Sequence, residues 1–221
     1  RAEAAAGRAG RAEAAAADLA ADLATVPAAE RGRVAQRLRS AAADFEAGRF
    51  GDTDRALAPL VKRYGAVTQL LELYGLTQYR LGRWERAASV LSQLRELTGA
   101  PDQIPVLADC HRALGDLERV GALWDELRAA SADADVMTEG RIVMAGAMAD
   151  GGDLAGAIRL LEHGPVRSSG VRERHLRIWY ALADLYDRAG EYQSARRGFA
   201  RIVDVDAGYV DAAHRLRALE G

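Results

Sequence analysis

The four histidines and the single cysteine are the side chains best suited to catalysis or to binding a transition metal. No two histidines have the spacing of a metal-binding pair, and the HExxH motif of zinc enzymes is absent. Cys110 and His111 are adjacent, and adjacent helical residues point about 100° apart, so they do not form a nucleophile–base pair. We therefore predict no catalytic residue, no metal site and no cofactor. The histidines are His111, His163, His175 and His214.

Three other stretches resemble ligand sites only in part. Residues 151–156 are rich in glycine, but no GK[ST] follows and no predicted strand precedes them, which argues against a phosphate loop. Asp133 and Asp135 begin like a calcium loop but lack its later glycine and glutamate. Two arginine clusters alternate with acidic residues, which is typical of a solvated, salt-bridged surface. The clustered arginines are Arg172, Arg174 and Arg177, and Arg196, Arg197 and Arg201.

The composition excludes several classes of protein. With 30 basic and 32 acidic residues the chain lacks the positive charge of a general nucleic-acid binder. One cysteine cannot form an internal disulfide, and no stretch approaches the 18 apolar residues needed to span a membrane. We therefore expect a cytoplasmic protein with no membrane span and no nucleic-acid partner.

A repeat of about 34 residues organises the chain. Five glycines are each followed two residues later by a large apolar residue, and successive glycines lie 34, 33, 37 and 38 residues apart. A small residue occurs seven positions before each glycine, and compact and bulky residues recur five, nine and twelve positions after it. In the fourth repeat Gly164 breaks the last of these patterns. The repeat glycines are Gly48, Gly82, Gly115, Gly152 and Gly190.

This pattern predicts helical hairpins. The apolar residues on both sides of each glycine have helical spacing, and the glycine lies where a helix must end in a left-handed conformation. The small residues let two helices approach closely, and the bulky ones fill the remaining gaps. We predict that aromatic residues such as Trp84, Trp124, Tyr192 and Phe199 pack in this core. Since one hairpin cannot cover its own apolar face, hairpins must stack, which indicates an all-α solenoid.

The repeat resembles the tetratricopeptide repeat (TPR). In the fifth copy Trp179, Leu182, Ala183 and Tyr186 match the family's W-x-x-L-G-x-x-Y run, with Ala in place of Gly. The second copy is nearly as good, and Ala207 replaces the family's usual proline. The resemblance implies a right-handed superhelical solenoid of about five hairpins with a C-terminal capping helix. In composition the chain also resembles uncharacterised tetratricopeptide proteins of high-GC actinobacteria.

The predicted organisation has two parts. Residues 1–27 form an Ala/Arg-rich, low-complexity leader with few large side chains to bury, which we expect to be either a loosely docked helix or partly disordered. Residues 28–221 form the repeat domain, with long loops at 131–135 and 163–170. In the capping helix, Ala212, Leu216 and Leu219 are expected to face inward and Arg215, Arg217 and Glu220 outward. The predicted repeats cover residues 30–64, 66–98, 102–130, 136–163 and 171–205, and the capping helix covers 208–220.

The resemblance also implies where a partner would bind, because in this family the first helices of successive hairpins line a concave groove that binds a peptide. The N-terminal end of this groove is expected to be apolar and aromatic, and the C-terminal end polar. Binding of chaperone tails by a carboxylate clamp is not expected, since the chain has no asparagine and its one lysine, Lys62, falls on a second helix. The predicted groove residues are Leu38, Phe45, Glu72, Leu76, Tyr79, Asp109, Arg112, Ile142, Gly146, Tyr180, Asp184, Asp187 and Arg188.

The sequence thus predicts a non-catalytic scaffold or adaptor that binds a peptide or a partner protein. Because the chain begins at Arg1 rather than Met, we expect a fragment. This keeps open a second interpretation, a helical regulatory module of a larger protein whose activity lies outside these residues. Association of the chain with itself, through the leader or an uncovered repeat face, also stays open.

Overall fold

The computed structural model describes residues 18–165 and 170–219. Three predictions therefore lie partly outside the described residues: the first seventeen residues of the leader, residues 166–169 of the second long loop, and Glu220 of the capping helix. Within the described part of the chain, all regular structure is helical.

Residues 18–22 are α-helical and run into a short 3₁₀-helix at Leu23–Thr25, and eleven further α-helices follow in the described part of the chain. Each repeat glycine lies in the turn between two of them. The helices are α1 (Ala28–Glu46), α2 (Phe50–Arg63), α3 (Thr68–Arg80), α4 (Trp84–Thr98), α5 (Ile104–Ala113), α6 (Leu117–Ala129), α7 (Ala134–Asp150), α8 (Leu154–Glu162), α9 (Glu173–Arg188), α10 (Tyr192–Val205) and α11 (Ala212–Ala218).

The chain is built from two compact units, residues 1–100 and 101–221. In the first unit α1 pairs with α2 and α3 with α4, and α3 also packs against α2 and α1. In the second unit the pairs are α5–α6, α7–α8 and α9–α10, and α11 packs on α10. The first helices of successive pairs also contact each other, α5 with α7 and α7 with α9. Each unit is thus a stack of antiparallel helical hairpins.

The repeat pattern accounts for the core. All five residues seven positions before a repeat glycine are buried, from Ala41 to Ala183, and so are the five residues nine positions after it, from Leu57 to Phe199. The repeat glycines themselves have φ between 69° and 92°, the left-handed region that favours glycine. The predicted hairpins and their close helix contacts are confirmed.

Residues 18–27 are docked on the first unit. Leu23 and Val26 are 4% and 1% exposed, so this part of the leader buries two large apolar side chains. Both carboxylate oxygens of Asp22 accept backbone N–H groups at the start of α3, from Thr68 at 2.8 Å and Gln69 at 2.9 Å. Asp22 therefore caps α3 from another segment of the chain and satisfies donors that a helix leaves unpaired at its N-terminus.

Two aspartates that resembled a calcium loop have a different role. Oδ1 of Asp133 accepts the backbone N–H groups of Asp135, at 2.8 Å, and of Val136, at 2.9 Å. Asp133 is therefore the N-cap of α7. Since α7 begins at Ala134, the loop predicted at residues 131–135 is shorter than expected.

His175 makes the start of α9 sensitive to pH. The side chain is 3% exposed, and its Nδ1 accepts the backbone N–H of Arg172 at 2.9 Å. Burial, followed by the charges of Arg174, Arg172 and Arg201, lowers the pKa of His175 below its ordinary 6.5. The unfolded chain therefore takes up the proton at a higher pH than the folded one. The contribution of neutral His175 to stability is complete above pH 6.5 and declines below it, towards the lower folded pKa.

We expect the Tm of the protein to fall between about pH 7.5 and 5.5, and to fall less in the variant His175→Gln. Glutamine keeps a side-chain acceptor at the third helical position but does not titrate. Thermal unfolding followed by circular dichroism at several pH values measures the difference. Equal decreases in Tm for the two proteins would contradict the role assigned to His175.

Candidate interaction face of the second unit

The first helices of the second unit are joined near their C-terminal ends by a row of opposite charges. Nε of Arg112, on α5, donates to Oδ2 of Asp150, on α7, at 2.6 Å. Nη2 of Arg188, on α9, approaches Oδ1 of the same Asp150 to 3.9 Å. Arg112 also lies 3.3 Å from Asp109 on its own helix. The Asp150 carboxylate therefore links α5, α7 and α9.

The position of the Arg112 guanidinium depends on the small size of Gly146. A Cβ atom at Gly146 would lie 2.7 Å from Cζ of Arg112, so a side chain at this position would displace the guanidinium. Burial by itself would lower the pKa of Arg112, but the hydrogen bond and charge of Asp150, together with Asp109, raise it above the ordinary value. The arginine is thus held, fully charged, across the gap between α5 and α7.

A second row of charges joins α7 and α9 near their N-terminal ends. Nη1 of Arg174 lies 3.0 Å from Oδ1 of Asp135. Arg177 bridges two glutamates, with 2.8 Å to Glu139 and 3.6 Å to Glu173. The salt-bridged surface predicted for this arginine cluster is confirmed at Arg174 and Arg177.

Beside the first row of charges lies a depression of about 130 Å³. Ile142 and Ala145 of α7 and Ala181 of α9 form apolar parts of its lining. Arg112, Asp184 and Arg188 form charged parts. An apolar centre with a charged margin is the arrangement of most protein–protein interfaces. We name this surface the α5–α7–α9 face. It is defined by Asp109, Arg112, Ile142, Gly146, Ala181 and Arg188.

Side chains at the capping helix bind three more of the predicted groove residues, Tyr180, Asp184 and Asp187. Arg215 of α11 donates to Asp184 at 3.1 Å and to Asp187 at 2.7 Å, and the Tyr180 hydroxyl donates to Asp211 at 2.5 Å. Burial would lower the pKa of Arg215, but the two aspartates raise it well above its usual value. The prediction that Arg215 points outward is wrong. Tyr180, Asp184 and Asp187 therefore face the cap and stabilise it.

Three of the five groove residues predicted in the first unit take part in packing within the fold. Leu38 is 6% exposed and belongs to the core, so its side chain is not available to a partner. The ring of Phe45 packs edge-on against Phe50, with centroids 5.2 Å apart, and Tyr79 packs in the same way against Trp84 at 5.4 Å. Phe45 and Tyr79 thus close the turns of their own hairpins. The remaining two, Glu72 and Leu76, are half-buried on α3.

Sequence reasoning missed a larger cavity of about 540 Å³ among α8, α9 and α10. The Arg201 guanidinium lies 3.6 Å from the centroid of the Trp179 ring, and the Tyr186 hydroxyl donates to Glu162 at 2.5 Å. Burial and the Glu162 carboxylate raise the pKa of Tyr186. The sequence feature that could have indicated this cavity is Gly164. It lines the cavity at a position where other repeats have leucine or isoleucine.

Two further observations concern chemistry. Among residues 18–165 and 170–219, no three His, Cys, Asp or Glu side chains lie close enough together to hold a metal ion. The Cys110 thiol is buried, and its pKa is raised to about 12 by that burial and by Asp109. A thiol with such a pKa is a poor nucleophile at neutral pH. None of the helices described is both long enough and apolar enough to cross a membrane.

Antiparallel hairpins with small residues at their contacts and left-handed glycines in their turns define a helical-repeat fold. A thermophilic TPR protein of Thermus thermophilus has a TM-score of 0.67 at 19% identity, over 83% of this chain and 97% of that one. The apo form of the quorum sensor NprR from B. thuringiensis has a TM-score of 0.65 at 15% identity, over 96% of this chain and 66% of that one.

A third similar structure is that of a kinesin light chain-like protein of Podospora anserina with TPR-like repeats. It has a TM-score of 0.58 at 15% identity, over 85% of this chain and 95% of that one. No family model matches the chain, and no curated protein matches it. The likeness to these structures establishes a TPR-like fold.

Proposed function

We propose that this protein is a non-catalytic interaction module that binds a segment of a partner protein on the α5–α7–α9 face. The observation that carries the proposal is the depression in which the apolar side chains of Ile142 and Ala181 lie beside charged side chains held by ion pairs. Burial of apolar side chains from a partner supplies most of the binding energy in such a surface. The ion pairs fix the three helices that form it, so that little ordering is needed when the partner binds.

The geometry favours a partner segment with one apolar anchor and charged neighbours. The anchor would lie over Ile142 and Ala181. Of the charges at the edge, Arg188 is the most adaptable, because its contact with Asp150 is 3.9 Å long and its side chain is 41% exposed. An acidic residue of the partner next to the anchor would reach Arg188.

The matched substitutions Ala181→Arg and Ala189→Arg test the proposal. Ala181 lines the depression, whereas Ala189 is exposed at the C-terminal end of the same helix. Arginine at either position lengthens a small side chain, and at Ala189 it lies at a helix end that favours positive charge. We expect both variants to keep the Tm of the wild type within a few degrees.

The measurement is affinity purification of tagged wild type and both variants from the native organism, followed by quantitative mass spectrometry. We expect a protein that the wild type and Ala189→Arg retain and that Ala181→Arg loses by about tenfold or more. If all three proteins retain the same set in equal amounts, the α5–α7–α9 face is not the binding surface.

A further inference from the structure

The N-terminal part of the first hairpin carries a concentration of positive charge. Residues 28–39 of α1 contain four arginines and a single acidic residue, Glu30. Because α1 and α2 are antiparallel, this end of α1 lies beside the C-terminal end of α2, which adds Lys62 and Arg63. In a chain of net charge −2, this end of one hairpin is strongly basic.

A depression of about 220 Å³ lies between these two helix ends. Val34, Pro59 and Leu60 form its apolar part, and Arg33, Arg37 and Arg63 contribute the charged part. We name this surface the basic pocket.

One carboxylate is already bound there, which shows what kind of group the pocket holds. Nη2 of Arg63 donates to Oε1 of Glu30 at 2.7 Å, and the Tyr64 hydroxyl donates to the other carboxylate oxygen. The Glu30 side chain is only 19% exposed. Charge-assisted hydrogen bonds from arginine and tyrosine to a carboxylate are among the strongest in proteins. They satisfy Arg63 within the fold.

Unlike Arg63, Arg33 and Arg37 have no carboxylate partner among the described residues. They are one helical turn apart on α1, both are exposed, and no acidic side chain in the described part of the chain pairs with either. Arg31, by contrast, is bound to the backbone oxygens of Val26 and Ala24. Two like charges at this spacing repel each other, and an anion between them would relieve that repulsion.

In the second repeat the positions of these two arginines are apolar. Arg33 and Arg37 lie fifteen and eleven residues before Gly48, and the matching residues before Gly82 are Val67 and Leu71. Both of these are fully buried. A terminal repeat needs a polar outer face for solubility, but solubility alone is served by charges of both signs. The excess of basic over acidic side chains at this end of the hairpin indicates a recognition role.

We propose that the basic pocket binds an acidic segment of a partner protein, with one of its carboxylates held between Arg33 and Arg37. The apolar part of the pocket accommodates the aliphatic stem of the bound glutamate or aspartate. This surface belongs to the first unit and does not depend on the α5–α7–α9 face.

The probe is a short fluorescein-labelled peptide of alternating Glu and Ala, and the full chain is titrated into it while fluorescence anisotropy is followed. The pocket variant is the double substitution Arg33→Gln and Arg37→Gln. The control is Arg39→Gln with Arg55→Gln, which removes the same charge from exposed positions of the same hairpin outside the pocket. Circular dichroism verifies that both variants are folded.

We expect the pocket variant to bind the peptide at least about tenfold more weakly and the control to bind it within about twofold of the wild type. Binding should also weaken as salt is added. Absence of peptide binding by the wild type, or an equal loss in both variants, would overturn the proposal. Binding of phosphoserine peptides, RNA or anionic phosphatidylserine vesicles without binding of the Glu/Ala peptide would overturn it as well.

Discussion

Phe199→Ala is expected to lower the free energy of unfolding by about 3–5 kcal/mol. Phe199 is fully buried nine residues after the last repeat glycine, at a position that is bulky in every repeat. Its ring packs edge-on against Tyr180, with centroids 5.8 Å apart, and the Arg215 guanidinium lies 4.8 Å from its centroid. Truncation therefore leaves a cavity and also loosens the contact between α9, α10 and the capping helix.

The matched control is Tyr192→Ala on the same helix. The repeat pattern predicts that both aromatic residues are core residues, but Tyr192 is 59% exposed. Its truncation is therefore expected to change the free energy of unfolding by less than about 0.5 kcal/mol. Urea unfolding followed by circular dichroism measures both values. Equal losses in the two variants would contradict the packing of α10 described above.

Gly75→Leu has the second-largest expected effect, a loss of about 1–3 kcal/mol of folding free energy. A Cβ atom at Gly75 would lie 2.6 Å from Cδ2 and 2.9 Å from Cγ of Leu91. Leu91 is fully buried and has no room to move aside. Any larger side chain at residue 75 must therefore push α3 and α4 apart, and this pair forms the second hairpin.

Gly121→Leu is the control for this substitution. Gly121 lies inside α6, and nothing lies within 4 Å of a Cβ atom built there. Since leucine favours the helix more than glycine does, this variant is expected to be as stable as the wild type or more stable. Thermal and urea unfolding of the two variants give the comparison. A Gly75→Leu protein with the stability of the wild type would refute the assignment of residue 75 to the helix contact.

The repeat pattern predicted the fold because it reflects local requirements of helix packing and turn geometry. A small residue such as Ala145 or Ala183 recurs where two helices touch, and a glycine recurs where a helix ends in a left-handed turn. These requirements are the same in every hairpin. Their repetition along the chain therefore identified the helix pairs and their core without any knowledge of contacts between distant residues.

The repeat pattern gave a wrong prediction where one hairpin differs from the others. Tyr192 is equivalent to Phe50 and Trp84, which pack against aromatic rings three residues before their glycines. In the fifth hairpin that position is Asp187, whose carboxylate is bound by Arg215. Without an aromatic partner, Tyr192 stays in solvent. The repeat position alone could not reveal this difference.

The candidate site was predicted in part. Asp109, Arg112, Ile142, Gly146 and Arg188 do lie together on the second unit, because their spacing places them on one side of the first helices. The role of Asp150 was missed, as was the capture of Asp184 and Asp187 by the capping helix. Both depend on ion pairs between residues 28 to 38 positions apart, and one sequence contains no record of such pairs.

Site-specific photo-crosslinking tests the central claim most directly. A photoreactive benzoylphenylalanine replaces Ile142 in one variant, within the α5–α7–α9 face, and Tyr192 in another, at an exposed site outside it. Both proteins are irradiated in extract of the native organism, and the adducts are identified by mass spectrometry. We predict that the probe at residue 142 labels one partner protein through a single segment and that the probe at residue 192 does not label that partner. Labelling of the same protein from both positions, or from residue 192 only, would contradict the account.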